Sequence, residues 1–124
     1  MTVRKQVADA VNAAAIPGVT GVVWPPGSRS AGMVWAQWDA TEYRQGIRGV
    51  PLPDRDGWSV WLTLPAGDQA STASARDEWE PLLVAALGPL GRVVRSEPTA
   101  VAVEDGGAAV PAVRITLAHV MTGD

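Results

Sequence analysis

The sequence predicts a single α+β domain with element order α-β-β-β-α-β-β and a mostly antiparallel sheet that carries its helices on one side. Three features lead there. The last third, Gly91 to Thr122, reads as two β-rich arms around the turn Asp105-Gly106-Gly107, and Gly supplies the positive φ that a tight hairpin turn needs. The stretch Trp58–Leu64 alternates as a strand, with Trp58, Val60, Leu62 and Leu64 on one face and Ser59, Trp61 and Thr63 on the other. Two further stretches show helical spacing, and helices beside a largely antiparallel sheet define the α+β class.

In chain order, Thr2 is a cap for a helix reaching about Ala15, whose stripe is Val3, Val7, Ala10, Val11 and Ala14. Ile16-Pro17-Gly18 stops it, since Pro cannot continue a helix and Gly suits the exit. Val19 to Trp24 is a short strand ended by Pro25-Pro26-Gly27. Met33 to Glu42 is a second strand: Val34, Ala36, Trp38 and Ala40 form its more apolar, core-facing set, and Met33, Trp35, Gln37 and Asp39 the other. Residues 43–57 hold three Gly and two Pro among mixed charges and are expected to be a long loop, of the kind that reaches a neighbouring subunit or stays on the surface. After Trp58–Leu64, a helix over Gln69–Leu87 follows capping candidates Asp68, Ser71 and Ser74, with the stripe Trp79, Leu82, Leu83, Ala86 and Leu87. Pro81 within it predicts a bend, or a second helical part starting there. In the closing hairpin, Val113, Ile115, Leu117 and Met121 face the core while Arg114 and Thr116 face away. Pro98 marks an edge strand or a bulge.

Composition removes several function classes. At 124 residues the chain fits one domain that buries roughly two-thirds of its unfolded surface. It has no Cys, so disulfides, thiolate catalysis and Cys-ligated zinc are excluded. A net charge of −3 argues against a free-standing nucleic-acid binder. No apolar run approaches the ~20 residues of a membrane span. Asp9 and Asn12 break what would be a signal peptide's apolar part, so the chain reads as cytosolic. Six Trp stand beside one Tyr and no Phe, a load expected to divide between core and interface.

Chemistry is sparse. The loop Gly27–Gly32 lacks the Lys-Ser/Thr pair of a phosphate-binding loop. Asp39 and Glu42 lack the third oxygen donor of a metal cage. His119 is alone on an apolar strand face, Ser28, Ser30, Ser71 and Ser74 sit in loop or capping contexts, and Asp54/Asp56 and Asp77/Glu80 read as solvated pairs. No catalytic, metal or cofactor site is expected, and the chain is not read as an enzyme.

The whole layout resembles a family. A short Ala-rich helix ends in Ile16-Pro17-Gly18-Val19, and a strand ends in Trp24-Pro25-Pro26. A central strand Trp58–Leu64, an Ala-rich helix Asp68–Leu87 and a hairpin with Asp105-Gly106-Gly107 follow. This order, with the length and composition, resembles the small tail terminator and tail-completion proteins of long-tailed, siphovirus-type bacteriophages, particularly those of GC-rich actinobacteria. The resemblance implies a virion protein assembled in the host cytoplasm, forming a homohexameric ring at the head-proximal end of the tail tube. Its implied partners are itself, the major tail tube protein, the head–tail connector or head-completion protein, and the tape measure protein, with DNA only as passing cargo. Trp35, Trp61, Arg44, Arg48, Arg55, Arg114 and Thr116 are the residues placed at such contacts. Alternative readings are another neck component, a small bacterial binding or immunity-type domain, or an enzyme using His119.

Overall fold

A computed structural model describes residues 2–25, 30–102 and 109–118, apart from the side chains of residues 47 and 53–55. The order is α1 (Val3–Ala13), β1 (Thr20–Gly21), β2 (Met33–Gln45), a 3-10 turn (Ile47–Gly49), β3 (Pro51–Thr63), α2 (Gln69–Leu87), β4 (Arg92–Val101) and β5 (Val110–Ala118). The predicted α-β-β-β-α-β-β order and α+β class hold. The sheet runs β1-β2-β3-β5-β4, antiparallel throughout except for the parallel β1–β2 pair.

Both helices lie on one face of the sheet. Val3, Val7 and Val11 of α1 and Leu83 and Leu87 of α2 pack on Val34, Ala36, Val60, Leu62, Leu64, Val113, Ile115 and Leu117. Period-two alternation supplies the sheet side of this core and three- to four-residue spacing the helix side. Thr2 caps α1 as expected, its Oγ1 accepting from the Lys5 amide at 3.2 Å. Asp68 caps α2, accepting from the Ser71 amide at 2.7 Å.

Four expectations need correction. The loop predicted at 43–57 is strand: Tyr43, Arg44 and Gln45 pair with Pro53, Leu52 and Pro51 across the 3-10 turn. The prolines tolerate this because, among the described residues, β3 joins β5 only from Trp58 onward, so no ladder described on that side needs their missing N–H. The strand expected over Val19–Trp24 shrinks to Thr20–Gly21. Helix α2 runs through Pro81 as one element, so no second helical part starts there. Leu82, placed in the apolar stripe from sequence, is 47% exposed, and only Leu83 and Leu87 of α2 are buried. The Asp105-Gly106-Gly107 turn, His119 and Met121 lie outside the described residues.

The N-terminal helix also seals an edge. The outward N–H and C=O of Gly21 are taken by the side-chain amide of Asn12, at 2.9 and 3.1 Å, as a neighbouring strand would take them. Gly21 must be glycine for this approach, since a Cβ there would lie 2.7 Å from the Ala8 carbonyl oxygen.

Two measurements test this packing. Leu83→Ala should lower unfolding free energy by about 2–5 kcal/mol in urea, while its neighbour Leu82→Ala should change it by less than about 0.5 kcal/mol. The Asp68 carboxyl is held below its ordinary pKa by the Ser71 backbone hydrogen bond and then by the Ser71 side chain. The folded state therefore binds that proton less tightly than the unfolded chain. The cap's contribution is complete above the unfolded carboxyl's pKa and is lost as pH falls through the folded one. The protection factor of the Ser71 amide, its intrinsic over its observed exchange rate, should fall on going from about pH 6 to about pH 2, and Asp68→Asn should abolish that pH dependence.

Candidate functional site

Past Trp38 on β2 and before Trp58 on β3, the two strands pair only with each other among the described residues. The result is a two-stranded arm that leaves the five-stranded sheet and extends roughly 20 Å at ~3.3 Å per residue. Tyr43, Val50 and Leu52 are exposed on it. Arg44 and Arg48 are exposed there too, so the two arginines assigned to contacts from sequence do sit on a protruding element. Arg48 occupies the left-handed region at the tip, with φ 64°, a conformation that a non-glycine residue seldom adopts. The side chain of Arg55 lies outside the described residues.

At the arm's root is an aromatic patch. Trp24 is 65% and Trp38 53% exposed. The Arg4 guanidinium carbon lies 4.5 Å from the Trp24 ring centre and 5.2 Å from that of the buried Trp58, holding the exposed indole by cation–π attraction. Trp38 donates its Nε1–H to Thr41 Oγ1 at 2.9 Å, and Thr41 Oγ1 donates to Asp56 Oδ1 at 2.8 Å. Trp38 thus corrects the expectation of a core residue. It lies on the helix-side face, but beyond the part of the sheet that the helices cover.

The opposite face of the sheet is closed by its own side chains. Trp35, Trp61, Arg114 and Glu97 are consecutive cross-strand partners on β2, β3, β5 and β4. The two indoles stack with centroids 6.4 Å apart and planes 2° from parallel. Arg114 lies 5.9 Å from the Trp61 ring centre and reaches Asp39 at 3.3 Å and Glu97 at 3.7 Å. Arg114 Nε also donates to Ser59 Oγ at 2.8 Å, and that hydroxyl donates to Asp39 at 2.5 Å. Ser59 is fully buried beneath them.

This overturns Trp35 as an interface residue, because it is only 2% exposed. Alternation told which face it occupies, but not that Pro25 and the end of β4 pass over that face. Trp35 and Trp61, with Pro25, Gln37, Ala100 and Ala102, wall a cavity of about 230 Å³ there. Trp61, Arg114 and Thr116 are half-buried, and Arg114 is engaged within the chain. The structure therefore separates six of the seven predicted contact residues: Arg44 and Arg48 on the arm, Trp35, Trp61, Arg114 and Thr116 on the closed face.

A second cavity, of about 350 Å³, opens between the first half of α2 and the β4–β5 hairpin, lined by Leu64, Thr72, Ala73, Pro98 and Val113 with Arg76 and Glu97 at the rim. No α2 residue before Leu83 is buried, so this half of the helix overhangs the sheet instead of closing on it. Among the described residues no group of three acids or histidines could hold a metal. Asp39, once weighed as a ligand, serves Arg114 and Ser59 instead.

Sequence reading missed Trp24, Arg4 and Trp38 as a unit. The available signal was Trp24 stranded in a Pro-rich exit and Trp38 at the last alternating position before the charges begin. Comparison with protein-family models and with curated proteins finds no match.

The contrast between the buried and the exposed tryptophans can be measured. Trp35→Ala should cost about 3–5 kcal/mol of folding stability, as expected for a buried aromatic. Trp38→Ala should cost under about 1 kcal/mol, as expected for a surface position; equilibrium urea unfolding of both variants decides.

Proposed function

We propose that this protein is a structural virion subunit: a tail terminator that forms a homohexameric ring on the head-proximal end of a phage tail tube and joins it to the head connector. The observation that carries the reading is the arm with its aromatic root, set against an open groove at the far end of the same sheet. Unlike surfaces at opposite ends of a subunit mate head to tail, and such contacts give a ring when the rotation closes. Trp and Arg are the residues most enriched at interface hot spots, and Trp24, Trp38, Arg4 and Arg48 supply both types on one side.

The element order α-β-β-β-α-β-β is the order on which the family resemblance rests, and it supports the same assignment. The major tail tube protein and the connector or head-completion protein are the proposed partners, with the tape measure protein at the lumen. The net charge of −3 suits a passage for DNA, because it is basic contacts that bind DNA by releasing counterions. Among the described residues no helix is long and apolar enough to cross a membrane. Virion placement, after assembly in the host cytoplasm, is part of the proposal.

The test is assembly. Native mass spectrometry of the full chain, alone and with the major tail tube protein, should give a closed six-subunit ring, and electron microscopy should find it on one end of arrested tubes. A chain that stays monomeric in both conditions overturns the reading. A ring that binds the connector but leaves tube growth unarrested moves the protein to another layer of the neck.

A further inference from the structure

The ring reading leaves open which surface meets which, and the two unoccupied features of the fold are complementary. We infer that the arm tip of one copy, residues 43–52, enters the groove between α2 and the β4–β5 hairpin of the next copy. The inference rests on the proposed ring.

Three observations carry it. An isolated two-stranded hairpin is at best marginally stable in water, yet this arm exposes Tyr43, Val50 and Leu52 with no sheet or helix against it among the described residues. The groove offers about 350 Å³ walled by Leu64, Ala73, Pro98 and Val113, a mostly apolar lining suited to Val50 and Leu52. The charges also match. Residues 43–52 carry Arg44 and Arg48 and no acid, while residues 68–80 carry Asp68, Asp77, Glu78 and Glu80 against Arg76 alone.

Geometry rules out the same contact within one molecule. The arm leaves the sheet beyond the Trp58–Leu117 pair, whereas the groove lies at the other end of the strands, beside Thr63–Ala112 and Thr99–Ala112. The joint is therefore between copies and has unlike halves.

The chain has no cysteine, so engineered thiols report on this joint alone. In an equimolar mixture of full-length Val50→Cys and Ala73→Cys chains, mild oxidation should give a disulfide-linked heterodimer as the dominant product. Val50→Cys alone should give little dimer. Separately, Arg48→Glu and the groove-filling Ala73→Trp should each weaken self-association roughly tenfold or more by sedimentation, as loss of a charge pair or pocket at an interface does. Their 1:1 mixture should stop at a heterodimer, since only one joint of each pair stays intact.

Failure of this joint is separable from failure of the ring. A wild-type chain that oligomerises while the mixed thiols do not cross-link, or while Arg48→Glu and Ala73→Trp associate normally, overturns the groove assignment and leaves the ring. Dominant Val50–Val50 dimers overturn it in favour of arm-to-arm pairing. A wild-type chain that remains monomeric with and without tube protein overturns both.

Discussion

Because both helices lie on one face of the sheet, the other face has to be closed by the strands' own side chains. The row Trp35–Trp61–Arg114–Glu97 does this across four strands. Arg114 is its pivot. A planar guanidinium can stack over an indole while its edge donates to carboxylates and a hydroxyl, and here it lies over Trp61 while meeting Asp39, Glu97 and Ser59. A lysine, with a compact ammonium, lacks the plane and the fork. Ser59 depends on the same group: a fully buried hydroxyl is costly unless its partners are present, and it is satisfied from both sides by Arg114 and Asp39.

The ladder also sets the direction of the arm. Asp39 reaches Ser59 from a break in the β2–β3 register between Trp38 and Ala40. A bulge of this type bends its strand and increases local twist. It falls where, among the described residues, the sheet narrows from four strands to two, so the residue that completes the closed face also starts the protruding element. The remaining edges are guarded. Asn12 occupies the outward groups of Gly21 on β1. On β4 the register breaks between Val93 and Arg95, Pro98 lacks an N–H, and Arg92 and Arg95 add charge, all devices that discourage strand addition. The arm carries the same kinds of device, a register break between Glu42 and Tyr43, the charge of Arg44, and Pro51 and Pro53 on its second strand.

Much of this fold was legible from local chemistry. The Thr2 and Asp68 caps and the alternation of Trp58–Leu64 are local signals, and each formed as read; of the α1 stripe Val3, Val7 and Val11 are buried as read, whereas Ala14 is exposed and Ala8 is buried in addition. What failed depended on contacts distant in sequence. Pro51 and Pro53 argue against strand unless one knows that, among the described residues, this part of β3 has no partner on its other side. Alternation put Trp35 and Trp38 on opposite faces correctly, yet reversed their exposure, since coverage is decided by Pro25, the end of β4 and the reach of the helices. Arg114 and Thr116 were read as outward-facing, and they are, but a sheet face is not a protein surface when the sheet covers itself. Asn12 looked like an interruption of an apolar segment, and its role appears only once β1 lies beside α1.

The six tryptophans now divide by what their N–H groups and faces do. Trp35 and Trp61 close the outer face, Trp58 lies in the core, and Trp79 pins the turn after α1 by donating to the Pro17 carbonyl at 3.1 Å. Trp24 and Trp38 remain largely exposed, but neither ring is left to wander: Arg4 lies against one and Thr41 accepts from the other. Immobilising a side chain on association costs about 0.5–1.5 kcal/mol, and part of that cost has already been met for these two rings by folding. Phenylalanine in place of Trp38 would fill similar space with no N–H to hold it to Thr41. The preference for Trp over Phe at the arm's root is thus consistent with a contact surface set in place before its partner arrives.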